Sequence, residues 1–159
     1  MNEEFETYIA NAIRWAHEHL GATDYSGRCL SFVEDAYEKG NHVEIFGGSS
    51  AQESADEYGA AQNRGEPPIG AFVFYACAGP VGDEVKDWGH VGLCIGDGKI
   101  IHAAATVRID HYLDVQNLTL ASGWSQSQFI GWSPIERIFT GYRQKASDID
   151  VTRERVGPR

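Results

Sequence analysis

The sequence predicts an α+β protein in which helices near the amino terminus pack on one face of an antiparallel β-sheet. Two observations support this fold class. The first 40 residues carry apolar side chains at helical spacing, whereas from Ala71 onward the apolar residues occur in short runs separated by turn residues. Helices first and strands afterwards are typical of an α+β arrangement with the helices on one face of the sheet.

Three helices are predicted before Ala71. Apolar residues recur at helical spacing over residues 3–20, and Gly21 follows as a stop signal. A second helix is expected over residues 29–39, where Gly40 would end it. A third, short helix is placed near residues 52–58, within a segment that is otherwise rich in Gly, Ser, Glu and Pro.

The remaining chain is predicted to form the sheet and a tail. Strands are expected at the apolar runs 71–77, 90–95, 99–104, 106–110, 129–132 and 135–142. Because the length suits one hydrophobic core and no internal repeat is visible, residues 1–145 are interpreted as a single domain. Residues 146–159 are polar and are predicted to be a loose C-terminal tail.

Charge and cysteine content restrict the class of partner. The formal net charge is −10, which argues against nucleic acid and against an anionic membrane surface, since both attract clustered Lys and Arg. Three cysteines provide no disulfide framework and suggest a reducing compartment or a free thiol. The first 20 residues lack the pattern of a secretory signal, so a cytoplasmic location is expected for the chain as given.

Cys29, His90 and His102 are the candidate catalytic residues. Cys29 lies in the first turn of a predicted helix, where the helix dipole stabilises a thiolate. The two histidines lie on the strands of a predicted hairpin, HVGLCIGDGKIIHA. In an antiparallel hairpin the residue numbers of directly opposed residues add up to a constant, and the two histidines share a face only if this sum is even. A three-residue loop at 96–98 gives an even sum, whereas a two-residue loop gives an odd one. We predict the three-residue loop, which places His102 opposite Gly92.

At these residues the chain resembles the NlpC/P60 family of cysteine peptidases, papain-like enzymes that commonly cleave peptidoglycan stem peptides. The matching segments are CLSFVEDAY, the Pro-Pro-Ile-Gly that precedes AFVFY, and the histidine hairpin. Together they cover roughly residues 20–142, and the hairpin is their most specific part. The resemblance implies the papain-like NlpC/P60 fold for the predicted domain.

The resemblance also assigns catalytic roles. Cys29 would be the nucleophile, His90 the general base and His102 the polar residue that orients His90. The backbone amide of Cys29 would contribute to an oxyanion hole at the start of its helix. No metal and no cofactor are implied.

Three residues are candidates for substrate binding. Tyr25 would add a hydroxyl at the mouth of the site, as a tyrosine in this neighbourhood often does in the family. Arg28 stands where many members carry Asp, and its charge would repel an ammonium and favour a carboxylate. Trp88, like Trp124 and Trp132, flanks a glycine-rich loop and is a candidate for lining a groove, although packing at a sheet edge explains these tryptophans equally well.

The implied reaction is hydrolysis of an amide bond in a stem peptide, for example the γ-D-glutamyl to diamino-acid bond, through a thioester on Cys29. Recycling in the cytoplasm, phage lysis and export by a dedicated secretion system all remain open, and an inhibitory partner stays undefined.

Other interpretations also stay open. The same site would serve an acyltransferase or a non-wall amidase, and the fold would serve a catalytically silent binding domain. Burial as a small core residue is the alternative for Cys29. A zinc site through His90, Cys94 and His102 is a further, weaker alternative.

Overall fold

The structure is a computed structural model that describes residues 2–145, with four α-helices and nine β-strands in that range. The helices are α1 Glu3–His17, α2 Cys29–Asn41, α3 Ala51–Tyr58 and α4 Ile135–Ile138. The strands are β1 Val43–Glu44, β2 Phe72–Ala76, β3 Ala78–Val81, β4 Glu84–Asp87, β5 His90–Gly96, β6 Lys99–Ala103, β7 Val107–His111, β8 Gln128–Ser133 and β9 Arg143–Gln144. Over these residues no helix is both long and apolar enough to cross a membrane. The predicted tail, 146–159, lies outside the described residues.

The main sheet has five strands in the order β7-β6-β5-β2-β8, and every neighbouring pair is antiparallel. Strands β3 and β4 form a separate hairpin, and β1 pairs with β9 near the end of the described chain. Helices α1, α2 and α3 precede the main sheet, and one face of the sheet shares a core with the helices, so the predicted α+β class is confirmed.

The two faces of this sheet are covered differently. One face joins the helices in the larger core cluster, to which the sheet contributes Phe72, Phe74, Val91, Leu93, Ile101, Ala103 and Val107. The opposite face carries a smaller cluster made by Ala71, Val73, Tyr75, Cys94, Ile100, Tyr112 and Val115. Since side chains alternate along a strand, His90 and His102 fall on this second face, away from the helices.

The first two helices differ at their ends from the prediction. Helix α1 is capped by the Asn2 side chain, which accepts from the amide of Phe5 at 2.7 Å, but it ends at His17 because the following residues turn more tightly, with Leu20 N–H donating to the His17 carbonyl. Helix α2 continues through Gly40, so the predicted stop there is wrong. A Cβ at Gly40 would lie 3.0 Å from the Asn11 carbonyl oxygen, and glycine therefore allows α1 and α2 to approach closely.

The histidine hairpin has the predicted register but not the predicted loop. Leu93 pairs with Ile101 and Cys94 with Ile100, an even sum that places the histidines on one face. The loop itself has two residues, Asp97 and Gly98, both with positive φ, and Gly96 pairs with Lys99. A bulge between Cys94 and Gly96 takes up the extra residue and restores the even register.

The run at 135–142 was predicted as a strand, and this is wrong. It forms α4 and a turn, with Ile135 and Ile138 buried at helical spacing and Pro134 at the N-cap. The β3–β4 hairpin was not predicted, because Gly79 and Pro80 within β3 disfavour a strand assignment.

Candidate active site

Cys29 is the first residue of α2 and lines a cavity of about 410 Å³. Its side chain is half-buried and packs against the larger core cluster. Residue 28 precedes the helix in an irregular conformation and supplies no side-chain cap, so the first turn of α2 keeps its backbone N–H groups near Cys29. The cavity is also lined by Ser26, Gly27, Cys77, Gly89, His90, Ala103 and Ala104.

His90 begins β5 and is buried. Its position is set by the preceding turn, in which Gly89 has φ 78° and would, with a Cβ, meet the backbone of Gln52 at 2.6 Å. The backbone N–H of Gln52 donates to the Trp88 carbonyl at 2.9 Å. The Asp87 carboxylate accepts from the Gly89 amide at 2.9 Å. Helix α3 and Asp87 therefore hold the start of β5 in place.

A chain of hydrogen bonds runs from His90 across the second face of the sheet. His90 Nε2 lies 2.8 Å from His102 Nδ1, and His102 Nε2 lies 2.7 Å from Asp110 Oδ2. Arg108 donates to both carboxylate oxygens of Asp110, at 2.7 and 2.9 Å. The sequence prediction that the two histidines lie together is met by this contact, and β7 adds a carboxylate and a guanidinium behind them.

The carboxylate determines where the protons of this chain lie. Asp110 can only accept, so His102 Nε2 carries a proton and, in the neutral ring, His102 Nδ1 is an acceptor. His90 Nε2 must then donate to His102 Nδ1. The remaining nitrogen, His90 Nδ1, is left without a proton and is the one able to act as a base.

Burial sets the charge of the reactive groups. Desolvation lowers the pKa of His90 well below its usual value, and the neighbouring His102 lowers it further. Desolvation also lowers the pKa of His102, although Asp110 opposes this change. Desolvation raises the pKa of Cys29 to about 11, against the opposing effect of hydrogen bonds to the backbone of Val91 and Leu30. At neutral pH the site therefore holds a thiol and a neutral imidazole.

The carboxyl group behind the histidines is ionised. Burial by itself would raise the pKa of Asp110, but hydrogen bonds from Arg108 and His102 outweigh it and lower that pKa. Arg108 thus keeps Asp110 in the acceptor-only form on which the tautomer of His102 depends.

The three predicted substrate-binding residues lie elsewhere than the cavity lining. Tyr25 is buried, and its hydroxyl donates to Asp35 at 2.6 Å. The Arg28 guanidinium lies 5.1 Å from the centre of the Tyr25 ring. Trp88 is half-buried and donates from Nε1 to the Gly79 carbonyl at 3.1 Å. The structure brings Trp124 to the cavity instead.

Sequence reasoning did not find Asp110 and Arg108. The signal is weak, because both residues lie in an ordinary strand, TVRID, and only the pairing of His102 with Arg108 brings Asp110 to His102. Once β6 and β7 are placed as a hairpin, alternation puts all three side chains on one face.

A metal-binding cluster is not formed in the described part of the chain, where no group of three or more His, Cys, Asp or Glu side chains is placed to hold an ion. The zinc alternative required Cys94, which is buried in the smaller core cluster and directs its thiol to the Pro67 carbonyl at 3.5 Å. The Pro67 backbone carbonyl is therefore the hydrogen-bond acceptor of this thiol.

Comparison with protein families identifies the group to which the chain is related. The NlpC/P60 family model matches residues 15–131, which include the helix of Cys29 and the histidine hairpin. The chain belongs to the NlpC/P60 family. A search of curated proteins found no match. Members of the NlpC/P60 family are generally hydrolases of the cysteine peptidase type, and membership supports a cell-wall peptidase or amidase kind of function.

Proposed function

We propose that this NlpC/P60 protein is a cysteine amidase that hydrolyses an amide bond in peptidoglycan stem peptides through a thioester on Cys29. The observation that carries the proposal is the shared cavity: Cys29 and His90 both line it, and His90 is held by His102 in the tautomer of a base. A half-buried cysteine at a helix start that shares a cavity with such a histidine has the parts that acyl transfer to sulfur requires.

The first step follows from the neutral resting state. Because Cys29 is a thiol, the His90 Nδ1 nitrogen takes its proton as the sulfur attacks the amide carbonyl. His102 and Asp110 stabilise the imidazolium that forms, since Asp110 supplies the negative charge behind the two rings. Backbone N–H groups at the start of α2 are suited to stabilise the oxyanion.

In the remaining steps His90 acts first as a general acid and then as a general base. The His90 imidazolium gives its proton to the departing amine as the carbon–nitrogen bond breaks, and the acyl group remains on Cys29 as a thioester. Water then attacks the thioester carbonyl while His90 takes the proton of water, and the carbon–sulfur bond breaks to release the acid. His90 then returns that proton to the Cys29 sulfur, which restores the thiol and the neutral imidazole.

The experiment is digestion of purified muropeptides followed by mass spectrometry, with Cys29→Ala as the inactive variant and Cys94→Ala as the matched cysteine control. We expect the wild type and Cys94→Ala to release a defined stem-peptide fragment and Cys29→Ala to release none. The γ-D-glutamyl to diamino-acid bond is the leading candidate for cleavage, and the fragment mass identifies the bond. Cleavage by Cys29→Ala, or no cleavage by any form, contradicts the proposal.

Acyl transfer is a second candidate, favoured by the apolar part of the cavity wall, because a dry site protects a thioester from water. The same digestion distinguishes it. Addition of an amine or alcohol acceptor would yield an acylated acceptor in place of the free acid.

A further inference from the structure

One side of the cavity is formed by apolar residues that have no role in the hydrogen bonds from His90 to Asp110. This apolar wall consists of Pro80, Val81, Leu120, Ala121 and Trp124. Among the described residues that line the cavity there is no Asp, Glu, Lys or Arg, and the one titratable imidazole, His90, is neutral. A group that enters beside Cys29 therefore finds no opposite charge on this side.

The apolar wall is a built surface, held together by packing and hydrogen bonds. The Trp124 indole lies flat against Gly79, where a Cβ would come within 2.1 Å of its ring. The Ser125 amide donates to the Ala78 carbonyl at 2.8 Å, and the Ala78 amide donates to Ser125 Oγ at 2.9 Å. These contacts join the loop before β8 to β3 and position Trp124 on the cavity wall.

Charge outside the cavity does not compensate for this lining. Arg28, the predicted recruiter of a carboxylate, is exposed, lies over the Tyr25 ring and does not line the cavity. The chain as a whole carries a formal net charge of −10, which repels an acidic substrate. A carboxylate that moved against the apolar wall would lose part of its hydration without gaining a charged side chain as partner there.

We infer that the apolar wall is a subsite for an uncharged, apolar acyl group of the substrate, and that it discriminates against an acyl residue with a free carboxylate. The inference rests on the proposed function, because it names the substrate class of the Cys29 site. In a stem peptide it selects alanine, or a glutamyl residue whose α-carboxylate is amidated, over the free glutamyl acid. Apolar area removed from water supplies the binding energy.

The test measures how fast Cys29 is alkylated by three acetyl-aminoacyl chloromethyl ketones that carry leucine, glutamine or glutamate next to the reactive group. Peptide-level mass spectrometry follows the alkylation of Cys29 separately from that of Cys77 and Cys94. Iodoacetamide, a reagent that carries no amino-acid side chain, reports the intrinsic reactivity of the Cys29 thiol. We expect the leucine probe to react at least about tenfold faster than the glutamate probe, with glutamine between them. A glutamate probe as fast as the leucine probe overturns the inference.

A pair of variants locates the selectivity. Leu120→Arg places a cation on the apolar wall and is expected to raise the glutamate-to-leucine rate ratio by about tenfold. Leu113→Arg adds the same charge at a leucine that is 43 % exposed and does not line the cavity, and it should leave the ratio unchanged. Equal effects of the two variants would overturn the assignment to the wall. Circular dichroism checks that both variants are folded.

Failure of the inference and failure of the proposed function give different results. If muropeptides are cleaved through Cys29 but the glutamate probe reacts as fast as leucine, the function stands and the subsite is wrong. If no muropeptide is cleaved but the leucine probe is selectively attached to Cys29, the subsite stands and another acyl substrate must be sought.

Discussion

Cys29 and His90 are both neutral at rest because burial disfavours their charged forms. Many reactive cysteines rely on a thiolate that exists before the substrate arrives. Here the pKa of the thiol is raised to about 11, so the proton must move to His90 during the attack. Because a bound substrate expels water from the cavity, the transfer of the proton from Cys29 to His90 would take place with little change in solvation.

The neutral resting state predicts a steep pH dependence of Cys29 alkylation. The thiolate fraction grows about tenfold for each pH unit below a pKa of about 11, so the iodoacetamide rate at Cys29 should rise continuously from pH 7 to pH 10. Peptide-level mass spectrometry at each pH measures this rate. A rate that is already constant between pH 6 and pH 8 would show a preformed thiolate and contradict the prediction.

Asp110 is a positioning residue that acts through His102. In Asp110→Asn the amide can present a donor to His102 Nε2, which would reverse both ring tautomers and place a proton on His90 Nδ1. We expect kcat to fall roughly 100-fold with little change in KM. Steady-state hydrolysis of a muropeptide measures both constants.

Asp83→Asn is the matched control, because Asp83 is an exposed residue in the turn between β3 and β4. It should retain the kcat of the wild type. A change in KM alone for Asp110→Asn would point to substrate binding rather than positioning, and an unchanged kcat would rule out the proposed role.

The β5–β6 hairpin brings the two histidines together by its register, and glycine makes room for the contact. A Cβ at Gly92 would lie 2.5 Å from Ile100 Cδ1 and 3.1 Å from His102 Cβ. The sequence pattern identified the shared face, since alternation is a local property. It misplaced the loop, because a bulge and a two-residue turn give the same register as a three-residue loop.

Gly92→Ala should therefore disturb both the hairpin and the site. The added methyl group forces Ile100 or the backbone of His102 to move, and we expect the free energy of unfolding to fall by about 1–3 kcal/mol together with a loss of hydrolysis. Urea unfolding measures the first effect. Gly65→Ala is the control, because a Cβ there meets nothing within 4 Å. Equal stability of the two variants would contradict the tight fit at Gly92.

Aromatic contacts and hydrogen bonds pack the segment 135–142 against the first helix. The Phe139 ring, which follows α4, lies 5.3 Å from the Tyr8 ring, 5.1 Å from Tyr37 and 5.0 Å from Tyr142, measured between centroids. Tyr8 and Tyr142 both donate to the Glu4 carboxylate. The strand predicted at 135–142 is replaced by a helix because only the helix turns these side chains toward α1 and α2.

Removal of this ring should be costly to stability. Phe139 is 2 % exposed, and Phe139→Ala is expected to lower the free energy of unfolding by about 3–5 kcal/mol through the cavity it leaves. Leu113→Ala, at an exposed leucine, should change it by less than about 0.5 kcal/mol. Chemical denaturation of both variants tests the difference. A small effect of Phe139→Ala would mean that the segment after β8 contributes little to the core.

The sequence by itself determined the features that depend on neighbours along the chain: the class of fold, α2 beginning at Cys29, and the shared face of His90 and His102. Periodicity and turn residues encode these because they are local. Only the tertiary structure decided that Asp110 binds His102 and that an apolar wall lines the cavity. It also decided that Arg28 lies over the Tyr25 ring and that neither residue lines the cavity. These contacts join residues far apart in the chain, and local pattern carries no information about which strands and loops will meet.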